Sequence, residues 1–396
     1  MLERRSQGTL PDAPHTQLRS AAGQLLYEHC ITREGFDGPY TIAYHQGRPH
    51  EALPAPDAPV ALAPAERRPE RLLRRHYLSP TSPLSLEPLP RHRGRLLENA
   101  DVALSVAMPT RSDAAYFANA DGDELYFVHS GSGTLRTILG DLAYRAGDYI
   151  YVPRALLHRF VLEPAATQHW LVLELRQPLR LPSSYRNAAG QLRMDAPYSH
   201  RDFRGPTLSA SAPRDEQLRD LWVKTQGTLQ KYQLASSPLD VVGWDGALYP
   251  FAFSIDAFRP KVGRVHLPPP AHATFEAPGV LICSFVPRPL DFDERAVPCP
   301  YPHSSVDVDE VIFYSRGSFT SRRGVGPGSI SHHPRGIAHG PHPGAYEASL
   351  GAQRTDELAV MLDCAAPLTR SAFAESLEDP GYHGSFVASA GSHSTG

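Results

Sequence analysis

The chain has 396 residues, with 39 basic and 42 acidic side chains and a formal net charge of −3. This balance excludes the concentrated basic face of a nucleic-acid binder, and no apolar run reaches the ~18 residues that span a bilayer. The polar stretch from Met1 to Ser20 lacks the apolar segment of a secretory signal, and the cysteines (Cys30, Cys283, Cys299, Cys364) show no CxxC spacing, so a soluble protein of a reducing cytoplasm is expected.

The 39 prolines count against a helical protein, because each removes a backbone donor and breaks helix interiors. Residues 1–95 read as an irregular N-terminal arm and linker, with Pro, Arg and Gly recurring and a solvated strap at 54–70. From about residue 100 the texture changes to short alternating segments between turns: 102–108, 124–140, 141–153 and 158–164. Strands of that length and spacing predict a sandwich or barrel. Leu218, Leu221 and Trp222 stand at helical spacing within 213–232, which predicts a helix there. Strand texture returns at 250–258, 279–287, 310–322 and 357–365, and residues 387–396 read as disordered.

The two strand-rich stretches share a grammar. In the first, Glu124 opens a strand, a Gly-Ser turn follows, then GDYIYVP (147–153), then His158. In the second, Glu310 opens a strand, an Arg-Gly-Ser turn follows, then GPGSISHHP (326–334), then His339. This order resembles the cupin superfamily, small β-barrels of the jelly-roll type. The stretches SFVPRPLDF (284–292), YPHSSVDVDEVIFYSRGSF (301–319) and GPGSISHHPRGIAHGP (326–341) are similar to the catalytic half of the homogentisate 1,2-dioxygenase family. YFANADGDELYFVHSGSG (116–133) is similar to that family's N-terminal cupin. The resemblance implies a mainly β bicupin, two jelly-roll barrel or sandwich domains with a few short helices and a long irregular N-terminal arm. The expected boundaries are 1–95 for arm and linker, 96–255 for a degenerate structural cupin with its connecting helix, 256–370 for the catalytic cupin and 371–396 for a tail.

The same resemblance implies an Fe(II) centre on His303, Glu310 and His339. Two neutral imidazoles and one carboxylate on one face suit a non-haem iron site with open positions. Taken singly, each residue could equally be a surface histidine or an edge carboxylate. In the first copy only Glu124 and His158 remain, with Asn119 and Asp121 where the ligand histidines are expected, so that half reads as scaffold. Ring cleavage also needs a base near neutral pKa for the substrate phenol. His266 is favoured over His272 for that role, and His333 matches a family active-site histidine, with His332 the alternative. Tyr301 matches a tyrosine lining the substrate pocket, Phe319 stands where the family usually has a tyrosine, and Arg322 or Arg323 could pair with a substrate carboxylate. His342 replaces a residue that is often acidic in the family.

The expected function is Fe(II)-dependent insertion of both atoms of O2 into homogentisate, giving maleylacetoacetate in tyrosine and phenylalanine catabolism. One alternative keeps this chemistry on another hydroquinone-type acid, and another is a non-catalytic bicupin that binds a small aromatic acid. By family resemblance a homo-oligomer, trimer or hexamer, is expected, with no nucleic-acid or membrane partner.

Overall fold

The structure, a computed structural model, describes residues 3–79, 87–208, 217–319 and 321–387. It is mainly β. Strand Asp123–Ser130 runs antiparallel between Asp148–Val152 and His169–Leu175, in an eight-stranded sheet that continues through Val102–Ala107 to Gly94–Glu98. A second eight-stranded sheet is built on Ser132–Thr137, His158–Leu162 and Tyr116–Asn119. Tyr126, Val128, Leu135, Ile150, Phe160 and Trp170 fill the space between the two sheets. The Trp170 ring lies 4.8–5.9 Å from those of Phe160, Tyr144 and Tyr126, edge and tilted contacts worth ~0.5–1.5 kcal/mol each beyond burial.

The alternate residues of the same strand, Leu125 and Phe127, face the other way, into a larger core shared with Val311, Phe313, Val360 and Leu362. That core joins the first barrel to a six-stranded sheet, ordered Ala273–Ala277, Val280–Phe285, Leu358–Cys364, Asp309–Arg316, Ser329–His333 and Arg75–Leu78. Being buried on both faces explains why residues 125–128 form a continuous apolar run and not an alternating one. Polar contacts stitch the seam: Tyr149 Oη to Ser284 Oγ at 2.9 Å and His129 Nδ1 to Ser315 Oγ at 3.0 Å.

Three expectations are corrected. The N-terminal arm is not irregular. Arg5–Gly8, Tyr27–Glu34 and Asp37–His45 form a four-stranded sheet with Val241–Gly246, and Arg75–Leu78 supplies the edge of the six-stranded sheet. The prolines fall mostly between these strands, while Ile42, Ala43 and Tyr44 are buried. The expected helix over 213–232 is a hairpin, Asp220–Thr225 paired with Thr228–Leu234, and residues 213–216 lie outside the described residues. Gln226 and Gly227 both take positive φ (49° and 70°), the two-residue turn whose twist matches paired strands. Leu221 and Val223 pack on one side and Trp222 on the other, so the helical spacing was a coincidence of a strand buried on both faces.

The C-terminal segment is also tied down. Thr369–Arg370 pairs with Gly94–Glu98, and Ser371 caps a short helix, Ala372–Ser376, by accepting from the Ala374 N–H. Phe373 lies so close over Gly94 that a Cβ there would come within 2.1 Å of the ring. Of the stretch expected to be disordered, all but Val387 lies outside the described residues.

Candidate metal centre

The two copies of the strand grammar can be laid over each other residue by residue. Glu124 stands opposite Val152 and Glu174, and Glu310 stands opposite His333 and Asp363. The Asp123 carboxylate accepts the backbone N–H groups of Arg154 and Leu179. Asp309 accepts those of Arg335 and Leu368 in the same way. His158 pairs with Phe117 across a strand bridge, as His339 pairs with His303. A common framework therefore carries two different sets of side chains.

In the second copy, reciprocal backbone hydrogen bonds of 2.8 Å between His303 and His339 bring the two rings to 4.3 Å. His303 Nε2 lies 3.9 Å and His339 Nε2 3.8 Å from the Glu310 carboxylate. The candidate ligand atoms of all three residues fall within 4.8 Å of one another, the only such group among the described residues. Each histidine donates Nδ1–H to a carbonyl two residues back, His303 to Tyr301 and His339 to Ile337, both at 3.2 Å. Those bonds leave both Nε2 atoms as bare acceptors. His339 Nε2 is buried with no hydrogen-bond partner. An orphaned acceptor facing a carboxylate and a second imidazole is what a divalent cation would satisfy, and an N2O donor set suits iron(II). His303 is half-buried, so the open side of the group lies there.

Behind Glu310 stands His333, fully buried, with Nδ1 donating to Oε1 at 2.7 Å. Burial holds the His333 pKa down to about 3, so the ring is neutral and its Nε2 accepts from Tyr382 Oη at 3.4 Å. Burial alone would raise the Glu310 carboxyl. The His333 hydrogen bond, His339 and the Arg322 guanidinium outweigh it and hold the group at about 2. His333, expected as a catalytic residue, has both ring nitrogens committed, one of them to a candidate ligand.

The other expected residues divide. His332 points to the opposite face of its strand, where Nε2 meets Asp309 at 3.2 Å, away from Glu310. His272 is buried edge-on against Phe285, and its pKa is held near 3 by burial and by Arg288. His266 is partly exposed, its ring 5.6 Å from that of Tyr301, which in turn lies 6.3 Å from His303. Burial lowers the His266 pKa, so the ring is a neutral acceptor at working pH. Tyr301 is 51% exposed, at the rim. Phe319 is packed in the core, its ring 4.9 Å from Tyr314, whose hydroxyl reaches Ser331 at 2.9 Å. Arg322 is partly buried and donates to the Gly340 carbonyl, with its Nε unpartnered. Arg323 spends its guanidinium on the Pro343 carbonyl.

Residues to which the sequence reasoning gave no role complete the surroundings. Tyr382, buried and stacked beside His333, comes from the C-terminal segment. His342 faces the same segment, bonded to Ser385 at 2.8 Å and stacked 3.9 Å from Phe386, which accounts for a histidine at that position. Asp363 is raised to about 7 by burial and by Glu310 beside it.

In the first copy a guanidinium occupies the centre. Arg93 donates to Glu124 at 2.6 Å and to Tyr126 Oη at 2.8 Å, with its side chain almost wholly buried. The position equivalent to His303 is Phe117, and not Asn119 or Asp121 as the sequence suggested. Asn119 bonds Glu174, and Asp121 accepts the backbone of the Gln226–Gly227 turn. The signal was available in the numbering, since Phe117 precedes Glu124 by the same seven residues that separate His303 from Glu310.

Comparison with known proteins supplies a family and several relatives. The family described as homogentisate 1,2-dioxygenase N-terminal matches residues 94–255. "Putative dioxygenase SSO1533" of Saccharolobus solfataricus is 34% identical over 379 residues, covering 95% of this chain and 97% of that protein. "Homogentisate 1,2-dioxygenase" of Nitrobacter hamburgensis is 27% identical, covering 62% of this chain and 55% of that one. Its namesake from Bradyrhizobium diazoefficiens is 26% identical, covering 64% and 57%. The chain thus spans little more than half the length of these two relatives. Fold and relatives together define a cupin dioxygenase. Within that class, the chain belongs to the homogentisate 1,2-dioxygenase family.

Proposed function

We propose that the protein is an iron(II)-dependent dioxygenase that cleaves the ring of a hydroquinone-type aromatic acid, with homogentisate as first candidate and maleylacetoacetate as the product. The observation that carries this reading is the convergence of His303, Glu310 and His339 with an orphaned imidazole nitrogen turned inward. These three residues would hold the metal. Iron(II) would supply the redox exchange between ring and dioxygen that closed-shell side chains cannot. The chain's own groups do the rest. Glu310, kept ionised, offsets one charge of the cation, and His333 with Tyr382 fixes its orientation. His266, neutral and at the rim beside Tyr301, takes the phenol proton. Arg322, cationic and partly buried near Glu310, pairs with the substrate carboxylate.

A second reading keeps the chemistry and changes the acid to gentisate or a related secondary-pathway substrate. Phe319 favours it, because a buried phenyl offers no donor where the family usually carries a tyrosine hydroxyl. The test is to load the purified chain with Fe(II) under anaerobic conditions and measure O2 uptake and product with homogentisate, gentisate and hydroquinone. A His303→Ala variant controls for free iron. Stoichiometric turnover of homogentisate alone is expected from the first reading. Turnover of gentisate alone would replace it with the second. Iron binding without turnover of any of the three would overturn both.

A further inference from the structure

A second group of histidines lies far along the chain from the metal centre, on the N-terminal four-stranded sheet. His45 Nδ1 bonds Asp240 Oδ1 at 2.7 Å, and His45 Nε2 meets His29 Nδ1 at 3.3 Å. The other Asp240 oxygen accepts the Gly47 N–H at 2.5 Å. His29 ends the relay and, with His45 and Asp240, lines a cleft of about 420 Å³ between that sheet and the outside of the first barrel, which Arg48, Glu51, Ser236 and Ser237 also border; the volume is within the usual range for small-molecule sites. Ile31, Ile138, Leu157, Val223 and Leu234 form its apolar walls. Ala155, also on the wall, holds a left-handed φ of 61° that alanine seldom adopts, a type of strain that collects at ligand sites.

The relay has a polarity. A carboxylate only accepts, so His45 turns its Nδ1–H to Asp240. With neutral rings, His45 Nε2 then accepts from His29 Nδ1–H, and His29 Nε2 is left as a lone-pair acceptor. Among the described residues His29 has no hydrogen-bond partner besides His45. Burial and His45 hold the His29 pKa down to about 4, which keeps the ring uncharged.

We propose that this cleft binds a small, uncharged apolar molecule bearing a hydroxyl, which donates to His29 Nε2 while its body lies between Ile138, Leu157 and Val223. The site is separate from the dioxygenase reading and does not depend on it. Nothing in the relay touches His303, Glu310 or His339.

The test uses p-cresol and its methyl ether, 4-methylanisole, titrated into the full chain at pH 8 by calorimetry. The two share a ring, but only the first donates a hydrogen bond. The expected result is p-cresol binding about tenfold more tightly, since the ether leaves the acceptor unmet. Asp240→Asn supplies the sharper arm. Its carbonyl is drawn to the Gly47 N–H, so its NH2 faces His45, the relay reverses, and His29 Nε2–H becomes a donor. The preference should then fall to parity or invert. Val223→Trp, which fills the cleft, should abolish p-cresol binding. Equal affinities in the unmodified chain, no saturable binding, an unchanged ratio in Asp240→Asn, or binding that survives Val223→Trp would each overturn the proposal. None of these outcomes bears on O2 uptake at the metal centre.

Discussion

His333 shows how much a single hydrogen bond decides at the residue scale. By sequence it stands six before a candidate ligand and reads as a group that meets substrate or oxygen. By geometry it stands behind Glu310, giving one nitrogen to the carboxylate and the other to Tyr382. Partners of this kind orient a ligand, and their loss typically costs ~10–100-fold in metal affinity. His333→Gln should therefore weaken iron binding by about that factor in competition with a chelator, while turnover per bound iron stays close to that of the unmodified chain. Full iron occupancy with lost turnover would return His333 to a catalytic role.

The first barrel keeps the framework of the candidate metal site but has a guanidinium where the second copy would hold a metal ion. Glu124 has Phe117 at the position that His303 holds relative to Glu310, and Arg93 neutralises it from within the barrel. Removing one partner of a buried pair leaves an uncompensated charge, at a cost of ~3–5 kcal/mol. Arg93→Ala should show that loss in urea unfolding, and Arg93→Met with Glu124→Leu should recover most of it. The same barrel holds Asp113, whose carboxyl burial raises from 3.8 to about 7, against the pull of the Phe160 N–H. Between pH ~4 and ~7 the folded chain keeps a proton that the unfolded chain releases. Stability from this group therefore falls as pH rises through that window and levels off above it. Asp113→Asn keeps the acceptor for Phe160, supplies a donor at the orphaned Oδ1, and should stabilise the protein at pH 8 by roughly 1–3 kcal/mol, with little effect at pH 4.

At the scale of the whole molecule, distant segments of chain meet over the six-stranded sheet. Arg75–Leu78 pairs with Ser329–His333, and the C-terminal segment returns across it, Asp379 N–H to the His76 carbonyl and Leu78 N–H to that of Leu377. Tyr382 and Phe386 then close over His333 and His342. Deleting the chain from Glu378 onward removes one large buried aromatic and uncovers two buried histidines. It should lower Tm by roughly 5–10 °C and reduce retained iron on dialysis. A truncated chain with unchanged Tm and iron content would show that the segment only rests on the surface.

Alternation, turn residues and local spacing are properties of neighbouring positions, and they were enough to give the strand-rich architecture and the duplicated order of motifs. The three residues that converge were singled out by the family resemblance, since each taken alone had an ordinary surface reading. The sequence by itself did not determine which of His332 and His333 faces Glu310, since a strand sends adjacent side chains to opposite faces and only the register with Asp309–Arg316 fixes the choice. It misread 213–232 as helix, because a strand buried on both faces loses its alternation. Nor could it connect Arg93 to Glu124, Tyr382 to His333, or His29 to His45 and Asp240. Those contacts bridge 16 to 195 positions, and such separations close only when the sheets pack. Pairing of strands far apart in the chain, and the burial that follows from it, is what tertiary structure alone decided.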